Sequence, residues 1–150
     1  MSTSPDIQID PRGYRFGAAV TAVGAGVALV LGGGMAGTIA LTVLVALFLP
    51  GATIGPQATL QAFLFRALIR PRIGKPAETE SFRPPRFAQQ MGFAMAIAGA
   101  ALGFAGIGWG VVVFAALILG ASFLNSVFGF CLGCEIYLLL KRMTGARVAA

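Results

Sequence analysis

Two long apolar runs, each broken by glycines and flanked by basic residues, dominate this chain. The first extends from Phe16 to Leu49, carries no charged residue and is interrupted by Gly32-Gly33-Gly34. One continuous helix over this run, rising 1.5 Å per residue, would be much longer than the ~30 Å hydrocarbon core of a membrane. The pattern therefore predicts a helical hairpin that turns at the glycines.

The second apolar run extends from Phe87 to Leu140 and contains one charged residue, Glu135. We expect it to turn near Gly103–Gly110, where Trp109 suits the interface between water and lipid. The chain is thus predicted to be an all-α membrane protein with four transmembrane helices in two hairpins. The expected spans are about 16–32, 34–50, 87–106 and 109–128.

The composition agrees with a membrane domain. Hydrophobic residues make up 57% of the chain and charged residues 11%, whereas soluble domains carry about 25% charged residues. We predict a single integral-membrane domain over residues 12–143, between a flexible polar N-terminus (1–11) and a short tail (144–150). The chain has no histidine, which excludes histidine metal ligation, a histidine base and a Ser-His-Asp triad.

The eleven Lys and Arg residues fall before the first run, between the runs and after the second, and neither hairpin turn carries one. By the positive-inside rule, both termini and the central loop are expected on the cytoplasmic side of the cell's inner (plasma) membrane. The net charge of +6 does not predict nucleic-acid binding, because no aromatic-interleaved basic surface accompanies it. A cleaved signal peptide is the rival interpretation for residues 1–37.

The segment between the runs divides into two parts. Residues 57–70 are predicted to form an amphipathic helix on the cytoplasmic membrane surface, because their apolar residues recur at helical spacing. Residues 71–86 are basic and rich in proline, and we expect an exposed loop. The apolar positions of the helix are Leu60, Phe63, Leu64, Ala67 and Leu68.

A parallel internal repeat is possible. Arg12-x-x-Arg15-Phe16 before the first run resembles Arg83-x-x-Arg86-Phe87 before the second. Such a repeat pairs the surface helix with residues 128–141. The cysteine motif would then begin a short helix on the cytoplasmic side. The length of the chain supports this, because Trp109 to Lys141 is too long for one membrane span.

The only two cysteines form a Cys-x-x-Cys motif, Cys131 and Cys134, followed by Glu135. Residues i and i+3 share a helix face at a spacing that suits a disulfide. At a helix N-terminus the thiolate of Cys131 would be stabilised. We therefore predict that Cys131 attacks, Cys134 resolves and Glu135 tunes the pair or carries a proton. A static structural disulfide is not expected in a reducing compartment.

Other interpretations of these residues stay open. Cys131 and Cys134 can be small buried hydrophobes, or half of a zinc or iron–sulfur site that a second chain would complete. Glu135 can be an interfacial carboxylate paired with Lys or Arg. Asn125 and Ser126 can hydrogen-bond between helices or contact a solute. No cofactor is predicted.

Three segments of the chain stand out together: Asp10-Pro11-Arg12-x-x-Arg15-Phe16, Arg83-Pro84-Pro85-Arg86-Phe87-Ala88-Gln89 and Asn125-x-x-Phe128-Gly129-Phe130-Cys131-Leu132-Gly133-Cys134-Glu135-x-Tyr137. With them the chain resembles an uncharacterised actinobacterial integral-membrane family, domain of unknown function 4395, over roughly residues 9–141. Members of that family often accompany thioredoxin-like and rhodanese-like sulfurtransferase proteins, so the resemblance implies thiol or sulfane-sulfur handling.

Three functions are therefore predicted in order. The first is a membrane thiol–disulfide or persulfide relay that exchanges with a cytoplasmic thioredoxin-like or sulfurtransferase partner. The second is a non-catalytic scaffold or accessory subunit of a larger membrane complex or homo-oligomer, which bulky replacements at Gly99 or Gly103 should disrupt. The third is a small-solute transporter. The spans contain few polar residues, which counts against it, since a pore needs polar residues within the membrane. Whether the protein is an enzyme is left open.

Overall fold

The computed structural model describes residues 6–145, and helices make up most of this range. A 3-10 turn at Pro56–Ala58 precedes α3, and a π-helical segment, Phe65–Ile69, joins α3 to α4. The predicted tail, 144–150, lies outside the described residues from position 146 onward. In chain order the elements are β1 (Gln8–Ile9), α1 (Pro11–Leu31), α2 (Met35–Thr53), α3 (Leu60–Leu64), α4 (Arg70–Ile73), β2 (Glu80–Ser81), α5 (Arg83–Phe104), α6 (Gly108–Phe128) and α7 (Leu132–Met143).

The four long helices, α1, α2, α5 and α6, confirm the all-α membrane fold, and each is long and apolar enough to cross a membrane. They form a bundle in which α1 packs on α2 and α6, while α5 packs on α2 and α6. Fully buried side chains such as Leu41, Leu44 and Ile118 fill its centre. Val30 is 88% exposed on the outside, as expected where lipid rather than water surrounds the protein.

The helices begin and end a few residues away from the predicted limits. α1 begins at Pro11 because proline fits the first helical turn and the Asp10 carboxylate accepts a 2.9 Å hydrogen bond from the Arg12 N–H. α5 likewise begins at Arg83. The predicted loop, 71–86, is therefore wrong at both ends, since α4 reaches Ile73 and α5 already contains Arg83 to Arg86.

The two hairpin turns lie at one end of the bundle, here called the turn end. They touch there through backbone, since a Cβ atom added to Gly33 would lie 2.8 Å from the Cα of Gly108. The first strand, the connection between the hairpins and α7 lie at the opposite end, here called the charged end. Lys and Arg side chains among the described residues cluster there.

The N-terminal segment predicted to be flexible, 1–11, contains ordered structure in its described part. β1 pairs antiparallel with β2, so that Gln8 lies opposite Ser81 and Ile9 opposite Glu80. Ile9 is buried. The prediction is therefore corrected for these residues, while residues 1–5 lie outside the described range.

Equivalent contacts recur in the two halves, as a parallel repeat predicts. Arg15 of α1 donates to the carbonyl oxygens of Ser126 and Val127 at the C-terminal end of α6, both at 3.2 Å. Arg86 of α5 donates to the carbonyl oxygen of Thr53 at the C-terminal end of α2, at 2.8 Å. Each hairpin thus closes the open end of the other hairpin's second helix.

The short helices at the charged end repeat as well. The helical segment after the first hairpin packs on α1, with the rings of Phe16 and Phe65 6.0 Å apart. α7, after the second hairpin, packs on α5, with the rings of Phe87 and Tyr137 5.7 Å apart. The predicted surface helix over 57–70 therefore has a counterpart in α7, and both lie at the charged end.

Candidate thiol–disulfide site

The end of α6 determines where the cysteines lie. Gly129 has a φ of 67°, in the left-handed region that favours glycine. Its N–H donates to the carbonyl oxygen of Asn125 at 3.0 Å, and the N–H of Phe130 donates to that of Leu124 at 3.3 Å. This pattern closes a helix and turns the chain sharply. It brings Cys131 to the start of α7, next to the helix that precedes it.

Cys131 is the N-cap residue of α7. Its backbone is extended, and its Sγ accepts a 3.2 Å hydrogen bond from the N–H of Cys134. Cys131 and Cys134 form a disulfide, with their Cα atoms 5.2 Å apart. An amide donor and the positive end of a helix both favour a negative sulfur at this position once the bond opens.

Tyr14 adds a contact from the other half of the molecule. Its hydroxyl lies 3.5 Å from the Sγ of Cys131, and since a disulfide sulfur carries no proton, the hydroxyl donates. Tyr14 and Cys131 are far apart in sequence, and no local pattern links them, so sequence reasoning missed this residue. The only sequence feature that pointed to Tyr14 is that it lies between the two arginines of the Arg12-x-x-Arg15 motif, at one of the positions marked x.

Gly133 allows α7 to approach α5 closely. A Cβ atom at position 133 would lie 2.6 Å from both the Cα and the Cβ of Ala88, so any side chain there would force the two helices apart. The small residue between the two cysteines is therefore part of the seat that holds them against the bundle.

Two cavities meet at the cysteines. An apolar cavity of about 440 Å³ lies between α1, α5, α6 and α7 and is bordered by Cys131. A more polar cleft of about 340 Å³ lies at the charged end and is bordered by both cysteines. Tyr14, Asn125 and Cys131 border both spaces. The disulfide therefore separates an apolar space inside the bundle from a polar space at its end.

Glu135 lies in the first turn of α7, is exposed and borders the polar cleft. No ion pair joins it to Lys or Arg within residues 6–145, so the alternative prediction of a paired interfacial carboxylate finds no partner there. Arg15 and Glu80 border the same cleft. The cleft thus presents both charges to whatever approaches the cysteines.

The surroundings of these residues give less support to a metal site and to a solute contact. Over the described part of the chain, no three Cys, Asp or Glu side chains gather as a metal site would require, so a second chain would still have to supply ligands. Ser126 donates to the carbonyl oxygen of Phe123 in its own helix. Asn125 is buried beside the disulfide.

Asp10, the N-cap residue of α1, lies at the charged end. Partial burial would by itself raise the pKa of its carboxyl, but hydrogen bonds from the side chain and backbone N–H of Arg12 and the charges of Arg12 and Arg70 outweigh burial and hold that pKa below its ordinary value of 3.8. The Arg12–Asp10 ion pair measures 3.0 Å. The carboxylate therefore stays ionised and caps α1.

A comparison with protein-family models matches residues 9–142 to the family described as domain of unknown function (DUF4395). The chain belongs to this family. The match spans all the elements that build the site, from Ile9 to the last turn of α7. No curated protein and no solved structure matches the chain.

Proposed function

We propose that this membrane protein is a thiol–disulfide or persulfide relay that works through Cys131 and Cys134 at the cytoplasmic face of the inner membrane. The observation that supports the proposal best is the position of Cys131 Sγ. It receives hydrogen bonds from the Cys134 N–H and the Tyr14 hydroxyl and borders a cleft at the charged end. A buried packing cysteine has no need of that arrangement.

The exchange is written through Cys131. A thiolate of a partner dithiol attacks Cys131 Sγ, the Cys131–Cys134 bond breaks, and Cys134 leaves as a thiolate that takes a proton from water in the polar cleft. The partner's second thiolate then attacks its own sulfur in the mixed disulfide and releases the Cys131 thiolate. The partner is oxidised by two electrons and the internal disulfide is reduced.

The reverse direction uses the same intermediate. The Cys131 thiolate attacks a partner disulfide, and Cys134 resolves the mixed disulfide by attacking Cys131 Sγ. With a partner persulfide, Cys131 takes the outer sulfur and releases the partner's thiolate, after which attack by Cys134 expels hydrosulfide. A thioredoxin-like partner would supply the dithiol or disulfide, and a sulfurtransferase partner would supply the persulfide.

The competing proposals meet different observations. Gly99 and Gly103, on which a scaffold would depend, both face the bundle interior, where an added Cβ at Gly99 would lie 2.6 Å from a methyl group of Leu41. Bulky residues there would disturb the fold itself, so they cannot distinguish a scaffold from a relay. A transporter needs free polar groups, but Thr38 and Thr42 donate to carbonyl oxygens of their own segment.

A trapping experiment tests the relay. Cys134→Ser is expressed in the native host, quenched in acid and alkylated, and adducts are identified by non-reducing gel and mass spectrometry. Because the resolving sulfur is gone, a mixed disulfide with a defined thiol protein should accumulate and should vanish in Cys131→Ser/Cys134→Ser. No adduct, with wild-type thiols slow to alkylate, would leave the cysteines as packing residues.

The orientation needs a separate measurement. A maleimide that cannot cross membranes should label Cys131 and Cys134, after reduction, in inverted vesicles and not in intact cells. Labelling from the outside of intact cells would place the cleft in an oxidising compartment and would replace the cytoplasmic partner with an extracytoplasmic one.

A further inference from the structure

The apolar cavity beside the disulfide opens sideways from the bundle. Its walls come from α1, α5, α6 and α7, with a volume of about 440 Å³, within the ~300–1,000 Å³ typical of small-molecule sites. Leu117 borders it and is 52% exposed, and Gly120 borders it on the same side of α6. Both residues lie in a span that lipid surrounds, so an occupant would arrive from the membrane rather than from water.

Polar groups collect at the inner end of this cavity, next to Cys131. Asn125 borders it, is only 6% exposed, and its side-chain amide has no hydrogen-bond partner within residues 6–145. The amide is therefore open to the cavity, where a ligand or water can form its hydrogen bonds. The Tyr14 hydroxyl borders the same space and points to Cys131 Sγ.

We propose that this cavity binds the ring of a membrane quinone, which accepts the electrons of the Cys131–Cys134 dithiol. A quinone is lipid-soluble, which suits a side opening, and its carbonyl oxygens accept hydrogen bonds, which suits the Asn125 amide. A lipid acyl chain would fill the apolar part but leave Asn125 unsatisfied. The proposal rests on the relay function and names its electron acceptor.

The chemistry balances without any further reactant. The Cys131 thiolate adds to a ring carbon of the quinone, a sulfur–carbon bond forms, and the ring oxygen takes a proton. The Cys134 thiolate then attacks Cys131 Sγ, the sulfur–carbon bond breaks, and its electron pair leaves with the ring, which is protonated to the quinol. The dithiol becomes a disulfide, and one quinone becomes one quinol.

Only Cys131 has to face both partners in this scheme. It borders the apolar cavity and the polar cleft, whereas Cys134 borders only the polar cleft. A partner protein would therefore meet Cys131 from the charged end, and the quinone would meet it from inside the bundle. Cys134 resolves the quinone adduct, whereas the partner's second thiolate resolves the mixed disulfide.

The test uses full-length protein, reduced and then freed of reductant under anaerobic conditions, with a short-tailed benzoquinone as the probe. Quinol formation is followed by absorbance, and remaining thiols by maleimide labelling. We expect one quinol per disulfide formed, faster than with the same protein unfolded in detergent. A rate no faster than that of the unfolded protein overturns the proposal.

A cavity-filling variant makes the test specific. A Cβ at Gly120 would meet nothing within 4 Å, so Gly120→Leu fills the cavity from its open side without disturbing the helix. Quinol formation should fall by about tenfold or more, which corresponds to the loss of one good contact. Gly26→Leu is the matched control, since Gly26 also has room for a side chain but does not border the cavity; an equal fall in both variants contradicts the assignment.

The two proposals can fail separately. Trapping of a partner through Cys134→Ser without quinol formation leaves the relay intact and refutes the quinone. Quinol formation without any trapped partner supports the cavity assignment and refutes exchange with a soluble thiol protein. A Gly120→Leu variant that lowers quinol formation while leaving partner trapping unchanged assigns the cavity to the quinone side, because Gly120 borders the apolar cavity and not the polar cleft.

Discussion

The two halves of this molecule build the same structure around different capping atoms. In the first half, Thr59 caps the short helix after the hairpin, and its Oγ1 accepts the N–H of Ala62 at 3.1 Å. In the second half, Cys131 caps α7, and its Sγ accepts the N–H of Cys134 at 3.2 Å. The cap is thus a feature of the scaffold, and reactivity comes from a sulfur in one of the two equivalent positions.

The spaces beside the two caps differ as well. Thr59 borders a cavity of about 170 Å³ whose walls include polar residues and the side chains of Arg66 and Arg70. Cys131 borders the larger apolar cavity of the second half. A hydroxyl in a small polar space holds a helix, whereas a sulfur between a polar cleft and an apolar cavity can exchange electrons with both.

Serine at the two caps should have opposite consequences. Cys131→Ser should reduce partner trapping and quinol formation to background, because a hydroxyl does not perform disulfide exchange, while stability under reducing conditions changes by less than about 0.5 kcal/mol, since serine is a good N-cap. Thr59→Ser should leave both activities at the wild-type level. Gels, absorbance and thermal unfolding check this, and any exchange that survives in Cys131→Ser would assign the chemistry elsewhere.

The next largest difference between the two halves is expected for alanine at Gly133 and at Gly17, the glycines where a short helix packs on a long one. Gly133→Ala forces a Cβ to 2.6 Å from backbone and side chain of Ala88, so we expect a loss of about 1–3 kcal/mol and slower exchange. At Gly17 the added Cβ would lie 3.5 Å from Gln61, an ordinary contact, so Gly17→Ala should be neutral or stabilising. Thermal unfolding in detergent measures both, and equal losses would contradict the seat assigned to Gly133.

The two arginines that close the long helices offer a smaller test. Arg15→Gln removes the donor that holds the carbonyls before the cysteine turn, and Arg86→Gln removes its counterpart at Thr53. Each should cost about 1 kcal/mol, the typical net contribution of one hydrogen bond to stability. Only Arg15→Gln should raise the alkylation rate of the reduced cysteines, measured by labelling that is quenched at successive times. An equal rise in Arg86→Gln would contradict a local effect of Arg15 on the cysteine turn.

The smallest effect concerns Asp10, whose carboxylate caps α1, whereas Phe82, at the N-cap position of α5, provides no side-chain cap. Because the pKa of Asp10 is lowered on folding, its stabilisation is full above the ordinary value of 3.8 and is lost as the pH falls through the lower folded pKa. The contribution should be at most a few tenths of a kcal/mol, since the pair with Arg12 is partly exposed. Asp10→Asn should remove that part of the pH dependence in acid unfolding curves.

The four long helices and the short helix that begins after Cys131 could be predicted from the sequence. Uncharged runs too long for one span, interrupted at glycines, require hairpins, and the length from Trp109 to Lys141 requires a further break before α7. These signals are local, because helix length and glycine conformation depend on nearby residues.

The surroundings of the cysteines could not be predicted in the same way. Tyr14 reaches Cys131 from the other half, and Gly133 meets Ala88 across two helices. The cavity arises where four helices fail to fill the space between them, which no single segment encodes. The roles of Cys131, Cys134 and Glu135 stay predictions until the exchange experiments are done.

The short ladder between β1 and β2 connects the two halves at the charged end. Each half contributes one strand, and antiparallel pairing relates the strands by two-fold rotation. Each half therefore has a hairpin, a short capped helix and a strand that can pair with its equivalent. The chain is built like a symmetric homodimer whose two subunits are covalently joined through the connection at residues 74–79, with the thiol pair in one subunit only.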